Sequence, residues 1–365
     1  MSIWAAAGYW ALLCVCIATA SQAQDRETQF PTCPKEKCYV LSYNPLIKAQ
    51  SSGRKDGAFN AADMLAKVGP DGRALLTREV IDGVVVPPLF DEVVRITLRV
   101  GDVEALCTGV ALGDNTVLTA GHCGCALAST YRIQYPRFGD PAFETQFYRP
   151  RTLARAPLTF FGYDCQRPDT PQPGRDLALL FLSPVKPEDR SGVTPPPVAS
   201  MIVPYELAQA GKLESMLALG YGRRENGDFP RDLIAAFIGL RDPFCLNDRG
   251  DASGCAPFRE FTLSSLVSET DPAADTCDGD SGGPVYFIHG KINDSGMAEY
   301  HRILVGITSR GLDGVPQFGP TDCGGGGVYT AVGHSDVLKW LAVNGVPLEV
   351  GDQARRYVER AFLPN

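Results

Sequence analysis

Histidine is scarce in this chain, with 4 among 365 residues, and neither HExxH nor a paired CxxC occurs. Those are the spacings that hold zinc, so no metal centre or other cofactor is expected. Positive charge is also in short supply. Against 42 Asp and Glu stand 34 Lys and Arg, giving a net charge of −8 and a pI near 5.1. A nucleic-acid partner needs a dominant basic surface, and none is present. Arg355, Arg356 and Arg360 cluster near the C-terminus, but Asp352 and Glu359 interleave with them. That pattern is the solvated face of a helix.

Residues 1–23 carry no charge at all. Their apolar stretch, Ile3 to Ala20, is short and broken by small residues, which favours a cleaved segment over a membrane anchor. Followed by Ser21-Gln22-Ala23, it reads as a secretory signal with a small-x-small cleavage site. No later run is long and apolar enough to cross a bilayer. The mature protein is therefore expected to be exported, to periplasm or medium, and free of the membrane.

What is present fits that compartment. Hydrophobic residues make up 44% and charged residues 21%, the balance of a globular chain with a sizeable core. Of 12 cysteines, Cys14 and Cys16 leave with the leader. The remaining even set suggests disulfides in an exported protein.

Residues 24–79 are polar and broken by Pro, Gly and Ser, as in a pro-segment or N-terminal extension. From Val80 onward, short β-branched runs such as DEVVRITLRV, DLALLFL and HRILVGITS alternate with turns. This predicts an all-β barrel or sandwich. Near the end, Ser335 is placed to cap a helix whose Val337, Leu338, Trp340 and Leu341 form a stripe ending at Gly345. A second amphipathic helix, with Ala354, Tyr357, Val358, Ala361 and Phe362, is predicted within a 346–365 extension.

The chemistry centres on DTCDGDSGGPV, residues 275–285. Gly279-Asp280-Ser281-Gly282-Gly283 satisfies G-x-S-x-G, the nucleophile elbow of α/β-hydrolases. Ser281, Asp313 or Asp322, and His334 would supply that fold's order. However, loop precedes the serine and PVYFIHG follows it, so the required strand and helix are missing. A better partner is His122 in VLTAGHC, beside a cysteine that can be stapled to Cys107. Asp176 precedes the apolar run LALLFL. The order is then His122, Asp176, Ser281.

VLTAGHC, RDLALL and CDGDSGGPV resemble the three signature segments of the chymotrypsin/trypsin-like serine proteases, themselves the reference case for Ser-His-Asp catalysis. The resemblance runs from Val80 to Gly345, and in style CTGV and LTAGHC are closer to bacterial secreted members than to animal digestive ones. It implies two antiparallel six-stranded β-barrels, about 80–200 and 201–333, with a C-terminal helix over 335–345. His122 and Asp176 would lie on the first barrel and Ser281 on the second. Ser281 would be the nucleophile, His122 its base, Asp176 the orienting acid, and the N–H groups of Gly279 and Ser281 the oxyanion donors.

The same register makes Asp275 the floor of a primary pocket selecting Arg or Lys, with Thr276 beside it and Gly311 and Gly327 as open walls. Ser309 would lie against Asp176. Arg310 stands where the family has an aromatic residue; it either attracts acidic side chains or folds toward Asp278. Asp280 would pair with an α-amino group released by an activating protease, at Val80 in the segment EVIDG. Asp82 in place of glycine and Glu79 before the cut depart from the family, leaving open a protein that is not a conventional zymogen. The resemblance pairs Cys107–Cys123, Cys277–Cys323 and Cys245–Cys255, which leaves Cys125–Cys165 and Cys33–Cys38. A monomer acting on polypeptides is expected; a catalytically silent homologue acting as a binding protein is the other reading.

Overall fold

The computed structural model describes residues 38–40, 84–85, 90–100, 102–137, 146–184, 215–224, 228–246, 254–264, 275–292, 298–312 and 323–346. Residues 1–23, where a secretory signal is expected, most of the 24–79 segment, Val80 and residues 347–365 lie outside them. In chain order the strands are β1 (Cys38–Val40), β2 (Val84–Val85), β3 (Val93–Val100), β4 (Val103–Gly113), β5 (Thr116–Thr119), β6 (Tyr131–Gln134), β7 (Pro136–Arg137) and β8 (Gln146–Phe147). They continue as β9 (Leu158–Thr159), β10 (Ala178–Phe181), β11 (Ser215–Gly220), β12 (Ile234–Asp242), β13 (Glu260–Leu263), β14 (Pro284–Ile292), β15 (Ala298–Gly311) and β16 (Gly327–Ala331). One helix, α1 (Ser335–Val343), follows.

Six strands in the order β6-β3-β4-β5-β10-β9 form the first sheet. Bridges from Ile133 to Arg151 and from Leu153 to Leu182 carry the chain across its open side and close it. Buried Arg151 secures the closure, donating to Asn115 Oδ1 (2.6 Å) and the Ser183 carbonyl (2.7 Å). In the second sheet, β14-β11-β12-β13-β16-β15 pair in sequence and β14 also pairs with β15, so six strands form a ring. β1 and β2 attach to its outside, on β14 and β12. The expected pair of six-stranded antiparallel barrels is the architecture found.

Alternation along the strands explains why some of them are apolar almost without interruption. In β11, Met216 and Ala218 enter the second barrel's core, while Leu217 and Leu219 face a separate core between the barrels. A strand buried on both faces has no polar face to show. β3 shows the other pattern: Val94, Ile96 and Leu98 fill the first barrel and Val93 joins the inter-barrel core, while Arg95, Thr97 and Arg99 alternate with them.

The inter-barrel core also holds a charge pair. Glu92, fully buried, accepts from Arg302 Nε (2.7 Å) and Nη2 (2.9 Å) and from the Tyr286 hydroxyl (2.7 Å). Helix α1 closes the arrangement, with Val337, Trp340 and Leu341 buried. Its cap is His334, whose Nδ1 accepts from the Asp336 N–H (3.2 Å), and Ser335 lies inside the first turn. Gly345 stops the helix in a left-handed conformation at φ +75°.

Trp340 packs edge-on to Phe160, the residue after β9, with ring centroids 5.3 Å apart, and so ties the C-terminal helix to the first barrel. Trp340→Ala is expected to cost about 3–5 kcal/mol, read as a lowered urea midpoint at unchanged slope.

Candidate active site

β5 delivers the chain to a 3₁₀ turn at His122–Gly124. The turn can sit close to its neighbours because Gly121 has no side chain: a Cβ there would fall 2.8 Å from the Tyr163 ring and 3.0 Å from Asp176 Oδ1. Two disulfides flank the imidazole. Cys107–Cys123 ties the turn to β4, and Cys125–Cys165 ties it to the loop that leads to Asp176. The Tyr131 hydroxyl donates to the Cys123 carbonyl (2.6 Å). Cys107, His122 and Cys123 form the one metal-type cluster among the described residues, but both sulfurs are spent in the disulfide.

Asp176 lies two residues before β10 with its carboxylate buried. Its Oδ1 accepts the His122 backbone N–H (2.9 Å), and His122 Nδ1 lies 3.1 and 3.0 Å from the two oxygens. Ser309 Oγ, from β15 of the other barrel, donates to Oδ2 (2.6 Å). Burial alone would raise the Asp176 pKa; the facing imidazole and these hydrogen bonds outweigh it and hold the carboxyl below its ordinary range. Burial would likewise lower His122, but Asp176 prevails and the imidazole pKa is raised. With Nδ1–H directed at the carboxylate, Nε2 is left as the ring's base.

Ser281 sits on a turn bound to both barrels. Gly282 N–H donates to the Thr308 carbonyl (2.8 Å) and Thr308 N–H to Gly283 (2.9 Å). From β4, Thr108 N–H donates to the Ser281 carbonyl (2.9 Å), and its hydroxyl donates to Gly279 O (2.9 Å). Gly282 at φ +85° must be glycine, since a Cβ would fall 2.0 Å from Thr119 Oγ1. Gly279 is also left-handed, at φ +95°. The Ser281 carbonyl lies 3.7 Å from Cys123 Sγ, which brings the serine turn against the histidine turn. Thr108 was missed in the sequence, although it directly follows Cys107.

Asp280 turns inward and is 1% exposed. Its oxygens accept from Gly222 N–H (2.7 Å) and Cys277 N–H (2.8 Å), and burial pushes its pKa up to about 7. Its expected partner, Val80, lies outside the described residues. Asp275, 2% exposed, accepts from the N–H groups of Gly324 and Gly326 (both 2.9 Å) and Thr276 (2.7 Å), and burial pushes it up to about 6. Thr276 Oγ1 meets the Tyr329 hydroxyl at 3.1 Å. Gly311 pairs with Gly327 across β15 and β16. A Cβ on Gly311 would meet open space, whereas one on Gly327 would meet the Tyr329 hydroxyl at 2.8 Å. Cys277–Cys323 and Cys245–Cys255 are both bonded; Cys33 lies outside the described residues.

Arg310 does not fold toward Asp278. It forms a two-pronged pair with buried Glu260, Nη1 to Oε1 at 2.8 Å and Nη2 to Oε2 at 3.0 Å. Asp278 faces Arg223 instead, at 3.4 Å. Glu260 was not identified from the sequence, because nothing local marks a strand glutamate as a partner for Arg310.

Two antiparallel six-stranded barrels, a histidine and aspartate on one and a glycine-bracketed serine on the other, define the chymotrypsin-like class of folds. The Trypsin family model matches residues 90–341. The chain belongs to that family of serine proteases.

Asp280 also gives a pH dependence with a definite sign. A carboxyl whose folded pKa, about 7, exceeds its unfolded value contributes stability that is full below the unfolded pKa and lost as pH rises through 7. Urea titrations of the full chain at pH 5.5 and 8 are therefore expected to give a smaller gain on acidification in Asp280→Asn than in the unaltered chain. The pH-independent cost of the amide cancels in that difference.

Proposed function

We propose that the protein is an exported serine endopeptidase cleaving after Arg or Lys through Ser281, His122 and Asp176. The observation that carries this reading is the engagement of both Nδ1 and the backbone N–H of His122 by one buried carboxylate. That arrangement fixes the tautomer and aims a single basic nitrogen outward. In the reaction, Ser281 Oγ attacks the scissile carbonyl as His122 Nε2 takes its proton, and Asp176 stabilises the imidazolium. The N–H groups of Gly279 and Ser281 would donate to the oxyanion. His122 then protonates the leaving amine, and water resolves the acyl-enzyme by the same steps in reverse.

Asp275 supports the Arg/Lys preference. Its oxygens already have three N–H donors but face no cation among the described residues, and its raised pKa marks the charge as poorly compensated. A substrate guanidinium or ammonium would supply that cation and be strongly selected for doing so. Asp280 raises the same question in the adjoining pocket. The missing charge there would be the α-amino group of Val80, freed when an activating protease cuts after Glu79. The uncharged apolar N-terminus and the four disulfides among the described residues fit export.

Reporter peptides ending in Arg, Lys, Phe or Glu test the whole reading against the full chain, a form beginning at Val80, and a processed Ser281→Ala control. Arg and Lys turnover is expected in the processed form alone, and Ser281→Ala should lower kcat by about 10⁴-fold or more. Preference for Phe or Glu would overturn the role of Asp275. A folded, processed protein that cleaves none would overturn the peptidase reading.

A further inference from the structure

Neighbouring residues on a strand normally point to opposite faces. On β15 the pairing with β16 shifts register between Thr308 and Arg310, and such an irregularity re-aims side chains. As a result the Arg310 guanidinium turns back on its own neighbour. Nη1, already bonded to Glu260 Oε1, also donates to Ser309 Oγ at 3.1 Å. Nη2 holds Glu260 Oε2 and the Gly254 carbonyl, and Glu260 Oε2 is fixed by the Ala256 N–H at 2.7 Å. The Arg310 side chain is 15% exposed and that of Glu260 not at all.

A serine hydroxyl has one proton to give and lone pairs that accept. With Arg310 filling an acceptor position, the Ser309 proton is committed to Asp176 Oδ2, 2.6 Å away. An unbroken chain of hydrogen bonds thus runs from Glu260 through Arg310 and Ser309 to Asp176 and His122. We infer that Arg310, clamped by Glu260, is a positioning residue for the catalytic pair, orienting Ser309 while the two side chains add no net charge beside His122. This rests on the protease reading above. The charged groups acting on His122 are Asp176, two residues before β10, and Asp169 in the loop ahead of it; the disulfide on the β4 side does not titrate. Against that acidic surround an unpaired guanidinium would weaken proton binding at His122. A loosened Ser309 would strengthen it by leaving more charge on Asp176.

Two readouts test this: imidazole NMR titration of the full chain, with the His122 signal assigned by its loss in His122→Ala, and the pH profile of peptide hydrolysis by the processed form. Glu260→Gln keeps the shape but frees the charge, and should lower the His122 midpoint by on the order of half to one pH unit. Arg310→Met/Glu260→Gln stays neutral but breaks the link. It should raise the midpoint and lower kcat several-fold with KM unchanged. In a Ser309→Ala background that second response should vanish. An unmoved midpoint in Glu260→Gln, or a response to the double change that persists without Ser309, overturns the inference. Should the double variant not fold, Glu260→Gln alone decides it. Absence of turnover in the unaltered processed form would sink the protease reading, while the NMR titrations still decide the coupling.

Discussion

The Asp176 carboxylate is the joint on which this structure turns. It lies two residues before β10 of the first barrel, accepts two bonds from the histidine turn of that barrel, and accepts a third from Ser309 of the second. Buried charge is costly unless every lone pair finds a donor. Here the donors come from both halves of the molecule, so the carboxylate links the two barrels across the core they share. Thr108 completes the fit from the other direction, with its N–H and hydroxyl holding the serine turn.

Among the other buried carboxylates, Glu92, Asp275 and Asp280 differ in their partners. Glu92 has a guanidinium and a tyrosine hydroxyl. Asp275 and Asp280 have backbone N–H groups and, among the described residues, no cation. Burial raises all three carboxyl pKa values, so what separates Asp275 and Asp280 from Glu92 is the lack of a facing cation among the described residues.

What the sequence revealed, and what it hid, follow from contact range. The strands were legible because β-branched runs declare themselves locally, and the serine, histidine and aspartate because each lies in a dense short motif. Thr108, Tyr163 and Glu260 were not, since each acts on residues remote in the chain and looks ordinary among its neighbours. Arg310 was visible as an oddity, yet its partner could not be read, because the register shift that turns it inward belongs to the pairing of β15 with β16. The helix cap went to His334 and not to Ser335 for a related reason. Serine is the commoner cap, but the imidazole here reaches the Asp336 N–H and fills the role.

Cys123 and Cys125 bracket the imidazole turn, one bonded to β4 and the other to the loop that carries the chain to Asp176. While those thiols stay reduced, the ring is held by hydrogen bonds alone, and the loop bringing its acid is untethered. Oxidation therefore decides how firmly that corner is framed: with both bridges formed, the histidine turn is anchored covalently to β4 and to the loop that delivers its carboxylate partner.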